Sequence, residues 1–154
     1  MTKNDVVVDT SLVLKWILNE SDSNKALALL ARWTKERVVI RVPPLLIYEA
    51  TNSLHQQVRS GKFTLDAARQ GLTDLTLKGL VFDFSSALTL SLRAMEFAQR
   101  FNIPATYDTH YLALAEHVGC DLWTADTRMW RTVKDQLDWV HWIGDYPPPQ
   151  EKEI

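Results

Sequence analysis

Short uninterrupted apolar runs alternate along this chain with longer stretches whose apolar residues recur every three or four positions. Short runs bounded by turn residues are typical of buried strands, and the longer periodic stretches predict amphipathic helices. The predicted strands span residues 6–8, 37–42, 80–84, 122–125 and 139–143. The predicted helices span residues 12–18, 45–59, 65–78, 85–101, 108–119 and 127–134, and a further helix runs from candidate N-caps at residues 21–24 through residue 33. Strands therefore alternate with single helices or pairs of helices along most of the chain.

The order of these elements favours one fold class. It reads β-α-α-β-α-α-β-α-α-β-α-β, and such alternation is typical of a parallel sheet packed between layers of helices. We therefore predict an α/β fold, a single three-layer α/β/α domain with a central mainly parallel sheet, over residues 1–146. Three consecutive prolines at 147–149 predict that residues 147–154 form a flexible C-terminal tail.

Length and charge narrow the function. The 154 residues fit a single domain. The formal net charge of −2 excludes a protein that holds nucleic acid by bulk positive charge. A substrate that carries phosphates would therefore need a metal ion or a local basic patch.

Cysteine content and hydropathy bear on the compartment. Cys120, the single cysteine, cannot form an internal disulfide and is expected to be a small packing residue. No apolar run approaches the ~18 residues of a membrane span, and the first apolar run is too short for a signal segment. We therefore expect a cytoplasmic protein with no membrane partner.

Four acidic residues lie just after predicted strands or in the first turns of predicted helices. Asp9 and Asp126 follow strands, Asp108 opens a helix, and Glu49 lies one turn into another helix. In a parallel sheet the carboxyl ends of the strands share one edge, and the helices that follow begin at that edge. The topology therefore places all four residues on one side of the molecule.

Each of these residues also has an ordinary structural interpretation. An aspartate after a strand is more often a turn residue or a helix N-cap than a ligand, and Asp9 could simply cap the first helix. Asp108 stands where a helix dipole favours negative charge. Glu49 shares a helical stripe with Asn52 and Gln56, which is normally a solvated face. The joint pattern raises the functional interpretation above these alternatives.

A divalent cation would stabilise such a group. Carboxylates packed together repel one another, and a cation removes that cost. Mg²⁺ and Mn²⁺ prefer oxygen ligands, and ions of this kind activate water for attack on phosphodiesters. We therefore predict that Asp9, Glu49, Asp108 and Asp126 bind Mg²⁺ or Mn²⁺.

Four segments carry a resemblance to a known family. They are Val7-Val8-Asp9-Thr10-Ser11, Glu49 with Asn52, Asp108 with Tyr111-Leu112-Ala113-Leu114-Ala115, and Thr124-Ala125-Asp126. From about residue 6 to residue 142 the chain resembles the PIN-domain proteins, and among them the VapC toxins of VapBC toxin–antitoxin pairs. The resemblance implies a PIN-like α/β/α nuclease fold.

The resemblance also implies an activity and partners. The activity would be that of a Mg²⁺- or Mn²⁺-dependent endoribonuclease, acting on RNA as the toxin of a type II toxin–antitoxin system. Asp9, Glu49, Asp108 and Asp126 would carry the metal site, with Thr124 and also Ser11 as supporting hydroxyls. The partners would be a second copy in a homodimer and a small cognate antitoxin whose tail enters the active-site groove.

Substrate contacts can be proposed beside the acidic residues. Arg128, Arg131 and Lys134 recur at three-residue spacing after Asp126, and Lys15 follows Asp9 by less than two turns. Cationic grooves combined with aromatic side chains bind single-stranded nucleic acid, and Trp16 and Trp130 are near enough in sequence to stack on bases. The alternative is a solvated cationic face and tryptophans in the core, which is the expectation for Trp33 and Trp123.

Two other functions compete with the nuclease. A catalytically silent PIN-like module that binds RNA or protein would share the fold but not the activity. A phosphotransfer enzyme or receiver-like domain also places an aspartate after its first strand. Asp9-Thr10-Ser11 lacks the second aspartate of such phosphatases, and no lysine directly follows Ala125 as a receiver requires.

Overall fold

The computed structural model describes residues 4–84 and 87–150. Its strands are β1 (Asp5–Val8), β2 (Val39–Val42), β3 (Leu80–Phe82), β4 (Asp121–Thr124) and β5 (Val140–Trp142). Its helices are α1 (Thr10–Ile17), α2 (Ser23–Lys35), α3 (Leu45–Arg59), α4 (Leu65–Thr76), α5 (Ala87–Phe101), α6 (Tyr107–Val118) and α7 (Thr127–Val133), followed by a 3₁₀ turn at Ile143–Asp145.

The five strands form one sheet in the order β3-β2-β1-β4-β5, and every neighbouring pair is parallel. Val7 and Val8 of the central strand have no exposed surface, as expected for a strand covered on both faces. The predicted α/β fold, with helix layers around a parallel sheet, is therefore confirmed.

The predicted element order is confirmed, and the bounds shift by a few residues. Strand β2 begins at Val39 rather than at 37, because Arg37 has a positive φ of 56° and lies in the turn that ends α2. Helix α1 begins at Thr10, two residues earlier than predicted, because Asp9 caps it. The predicted start of the fifth helix at residues 85–86 lies outside the described residues.

Strand β3 ends earlier than predicted, which changes the place of one acidic residue. It stops at Phe82, so Asp83 lies just past the strand and not inside it. Asp83 therefore stands at the carboxyl edge of the sheet, where its carboxylate lies 4.0 Å from the guanidinium of Arg41. It follows the outermost strand, β3, which lies two positions from β1 in the sheet.

The C-terminal segment has less structure than the domain. Residues 147–150 form no regular secondary structure, and residues 151–154 of the predicted tail lie outside the described residues. Within the part of the chain that the structure describes, no helix has the length and apolar character of a membrane span.

Candidate active site

Asp9 joins the central strand to the first helix. It follows β1 and caps α1, and its Oδ1 accepts hydrogen bonds from the backbone N–H of Leu12 at 3.1 Å and from Ser11 Oγ at 2.6 Å. Its Oδ2 accepts a hydrogen bond from Thr124 Oγ1 at 2.5 Å. The predicted capping role is therefore present, and the same carboxylate is also tied to the end of β4.

Thr124 connects Asp9 to Asp126. The side chain of Thr124 is fully buried and donates to Asp9, while its oxygen accepts the backbone N–H of Asp126 at 2.9 Å. Asp126 in turn caps α7, since its Oδ1 accepts from the N–H of Met129 at 3.0 Å. Each oxygen of Asp9 therefore accepts at least one hydrogen bond, whereas Oδ2 of Asp126 accepts none from a described residue.

Glu49 is held by two hydroxyl groups. Thr10 Oγ1 donates to Glu49 Oε1 at 3.0 Å, and the Tyr111 hydroxyl donates to the same oxygen at 2.6 Å. Tyr111 is 1% exposed. Glu49 therefore turns inward from the solvated stripe of α3, where Asn52 and Gln56 are exposed. Its second oxygen, Oε2, accepts no hydrogen bond from a described residue.

Asp108 completes the group from the first turn of α6. Its carboxylate forms no hydrogen bond or ion pair with a described residue. The pKa of Asp108 is raised from 3.8 to about 6. Burial is the largest cause of this rise, and the negative charges of Asp126 and Glu49 also contribute to it. Asp108 is therefore electrostatically coupled to both carboxylates.

The carboxylate of Asp9 is also electrostatically coupled, in its case to Asp108. Burial raises its pKa from 3.8 to about 7, against the hydrogen bonds from Ser11, Thr124 and Leu12 that lower it, and the charge of Asp108 adds to the rise. All four predicted residues therefore belong to one network, joined by hydroxyl bridges or by repulsion. We name Asp9, Glu49, Asp108 and Asp126 the acidic cluster.

The chemistry of this cluster fits a hard divalent cation. Its donors are all carboxylate oxygens, and Glu49, Asp108 and Asp126 each keep at least one oxygen without a hydrogen bond from a described residue. Within residues 4–84 and 87–150, no three acidic, histidine or cysteine side chains are gathered closely enough to hold one ion by themselves. Mg²⁺ commonly binds through one or two carboxylates and keeps several waters, so such a gathering is not required.

The basic residues predicted to contact the substrate differ in exposure and in their partners. Arg128, Arg131 and Lys134 are exposed along α7, and Lys134 lies 4.9 Å above the ring of Trp130. Lys15 instead pairs with Glu20 at 3.1 Å, and 15% of its side chain is exposed.

The predicted stacking role of Trp16 is wrong. Its side chain is 5% exposed, and its indole N–H donates to the carbonyl of Ala26, so it belongs to the core. The ring of Trp130 already stacks on Trp142, with centroids 5.0 Å apart. The core role of Trp33 is confirmed, and half-buried Trp123 packs edge-on against it.

Sequence reasoning missed the roles of Thr10 and Tyr111. Tyr111 follows Asp108 by three residues on α6, a spacing that places both on one helix face. That spacing was a usable signal for a residue beside the site. No comparable signal pairs Tyr111 with Glu49, because the two residues are 62 positions apart in the sequence.

Comparisons with known proteins bear on the fold and the family of this chain. The chain is similar to PAE2754 from Pyrobaculum aerophilum, whose crystal structure superimposes with a TM-score of 0.67 at 22% sequence identity, over 91% of this chain and 90% of that one. This likeness bears on the fold. No curated protein sequence matches the chain.

A family profile gives the more specific result. The profile of the PIN domain matches residues 6–135, which is most of the chain and includes the whole acidic cluster. PIN domains are typically metal-dependent nucleases. The extent of this match, on a parallel α/β/α fold with the acidic cluster at one edge of the sheet, shows that the chain belongs to the PIN-domain family.

Proposed function

We propose that this protein is a Mg²⁺- or Mn²⁺-dependent endoribonuclease that hydrolyses RNA phosphodiester bonds. The observation that carries the proposal is the acidic cluster, in which four carboxylates from separate elements are coupled at the carboxyl edge of one parallel sheet. Burying mutually repelling carboxylates is costly unless they serve a cation. Membership in a family of typical nucleases supports the same reaction class.

The residues of the site would have different roles in the proposed reaction. Asp9, Glu49, Asp108 and Asp126 would hold the ion, one or two of them directly and the others through its bound waters. Glu49, Asp108 and Asp126 each keep an oxygen that accepts no hydrogen bond from a described residue. The bound ion would supply the positive charge that acidifies a water and stabilises charge on the phosphodiester. Asp9, fixed by three donors, and Thr124, which spans Asp9 and Asp126, keep the carboxylates of the two neighbouring strands in register.

The proposal extends to a biological role. A cytoplasmic toxin of a type II toxin–antitoxin pair would act as a homodimer and would be inhibited by a small antitoxin. Exposed apolar side chains on one face of α5 support a homodimer, since monomeric proteins rarely leave such stripes uncovered. These are Leu88, Leu92 and Met95, which are 73%, 54% and 61% exposed.

Cleavage assays with matched variants test the nuclease proposal. Purified protein with Mn²⁺ should cut RNA, and Asp126→Asn should lose activity by on the order of 100-fold or more, because an electrostatic contribution of the site is removed. Asp121→Asn provides the control, since Asp121 lies at the opposite end of β4, is exposed and pairs with His141. Cleavage by the Asp126→Asn variant at the wild-type rate would contradict the proposal, and no cleavage by either protein would favour a catalytically silent binding module.

A further inference from the structure

A cavity of about 320 Å³ opens directly beside the acidic cluster. It lies between α7 and the loop that joins α5 to α6, and Asp108 and Asp126 form one of its walls. Its other walls include Phe101, Ile103, Ala105, Arg128 and Met129. The cavity is therefore continuous with the proposed site of bond cleavage.

The lining of this cavity has two chemical characters. Phe101, Ile103 and Met129 are buried or half-buried and give it an apolar wall. Arg128 is exposed and makes no ion pair or side-chain hydrogen bond with a described residue. Arg93, by contrast, is engaged by Glu96 and Glu116 at 2.7 Å each. The cavity thus combines an apolar surface with a guanidinium that is available to an anion.

We propose that this cavity receives one nucleotide of the RNA strand, next to the phosphodiester that is cut. The base lies against the apolar wall, and Arg128 binds a phosphate of the same strand. Apolar surfaces accept the faces of unstacked bases, and arginine binds phosphate with charge-assisted hydrogen bonds. This inference rests on the proposed function, because it assumes that the acidic cluster cuts RNA.

Charge supports RNA as the occupant. The protein as a whole is negative, so the strand needs a local cation beside the carboxylates. Of the three other basic residues predicted near the site, Lys15 is paired with Glu20, Lys134 lies over Trp130, and Arg131 does not line the cavity. Arg128 is therefore the cation that this cavity offers to a phosphate.

The first test removes the charge at Arg128. Arg128→Ala should raise the KM for a short single-stranded RNA by roughly ten- to hundredfold, because a hydrogen bond to a charged group is lost. The slope of log Kd against log salt should fall by about 0.7, as expected for one lost phosphate contact on a single strand. Arg59→Ala is the control, since Arg59 is exposed at the far end of α3 and removes the same charge. An equal effect of the two variants would overturn the proposal.

The second test fills the cavity and does not depend on cleavage. Binding of a fluorescent RNA oligonucleotide is measured with Mn²⁺ in an Asp9→Asn background, since Asp9 does not line the cavity. Adding Ala105→Trp should weaken binding at least tenfold, whereas Ala31→Trp on exposed α2 should not. Thermal melting of each variant verifies that it is folded.

The outcomes separate this inference from the nuclease proposal. Weakened binding by Ala105→Trp in a protein that cuts no RNA would support the cavity as a nucleotide site and refute the nuclease. RNA cleavage with unchanged binding in both Ala105→Trp and Arg128→Ala would overturn the nucleotide site and point to a peptide of a protein partner as the occupant.

Discussion

Hydroxyl groups fix the carboxylates of the acidic cluster to different degrees. Asp9 accepts three hydrogen bonds, Glu49 accepts two on a single oxygen, and Asp108 accepts none from a described residue. A carboxylate held by one oxygen keeps a defined direction while its other oxygen stays available. Tyr111 can serve this purpose because burial and the charge of Glu49 raise its pKa well above the ordinary value, so it keeps the proton that it donates.

Removing the Tyr111 hydroxyl should therefore weaken metal binding without leaving a cavity in the core, because the ring is kept. We expect Tyr111→Phe to lower Mn²⁺ affinity by roughly 10- to 100-fold, the usual effect of losing a group that orients a ligand. Calorimetric titration of Mn²⁺ measures this directly, independently of activity. Tyr48→Phe is the matched control, because Tyr48 precedes Glu49 on α3 and is 71% exposed. Equal Mn²⁺ affinities in the two variants would contradict a positioning role.

The tryptophan-rich C-terminal elements pack against both faces of the outermost strand of the sheet. Strand β5 is the outermost strand beside β4. On one face, Trp142 stacks on Trp130 of α7 with centroids 5.0 Å apart, and on the other, His141 stacks on Trp123 at the same distance. The aromatic residues here are thus explained by packing.

This packing predicts a strong effect of a small substitution after β5. A Cβ atom at Gly144 would lie 2.3 Å from the ring of Trp142, which is itself held against Trp130. We expect Gly144→Ala to destabilise the fold by about 1–3 kcal/mol, as overpacking does. Thermal or urea unfolding measures the change.

A second glycine supplies a control of opposite sign. Gly71 lies inside α4, and a Cβ there would meet Leu54 at an ordinary 3.7 Å. Gly71→Ala should stabilise the protein by roughly 0.5–1 kcal/mol through helix propensity. A Gly144→Ala variant as stable as Gly71→Ala would show that the Trp142 ring moves freely.

The whole molecule concentrates buried negative charge at one edge of its sheet, and this makes stability depend on pH. The folded-state pKa values of Asp9 and Asp108, about 7 and about 6, exceed the ordinary 3.8. The folded state therefore binds protons more tightly than the unfolded state between about pH 4 and pH 7. Their contribution to stability is present at low pH and is lost as pH rises through these values.

We expect the metal-free protein to lose the contribution of Asp9 to its folding stability between pH 4 and pH 7. Above pH 7, we expect Mn²⁺ to restore stability. Mn²⁺ should raise the melting temperature more at pH 7.5 than at pH 5, because the ion binds the deprotonated carboxylates. Thermal melts of wild type and Asp9→Asn across this range isolate the contribution of one group. A constant difference between the two melting curves from pH 4 to pH 7 would contradict the assignment.

Much of the fold could be predicted because its signals are local. Apolar runs and helical periodicity gave the element order, and the edge rule for parallel strands placed the acidic residues on one side. The order of the strands could not be predicted, since nothing in the sequence of β3 or β5 states which strand it will join. The stacking role proposed for Trp16 failed for a related reason, because distance in sequence from Asp9 does not reveal which way a side chain faces.

The sequence by itself determined the α/β class, the capping position of Asp9 and the membership of the acidic cluster, because periodicity and strand-end position are properties of neighbouring residues. Only the tertiary structure decided how those carboxylates are held. The bonds of Glu49 to Tyr111 and of Asp9 to Thr124 span 62 and 115 positions. Such contacts arise when separate elements pack, since packing is what brings a distant hydroxyl within hydrogen-bonding distance of a buried carboxylate.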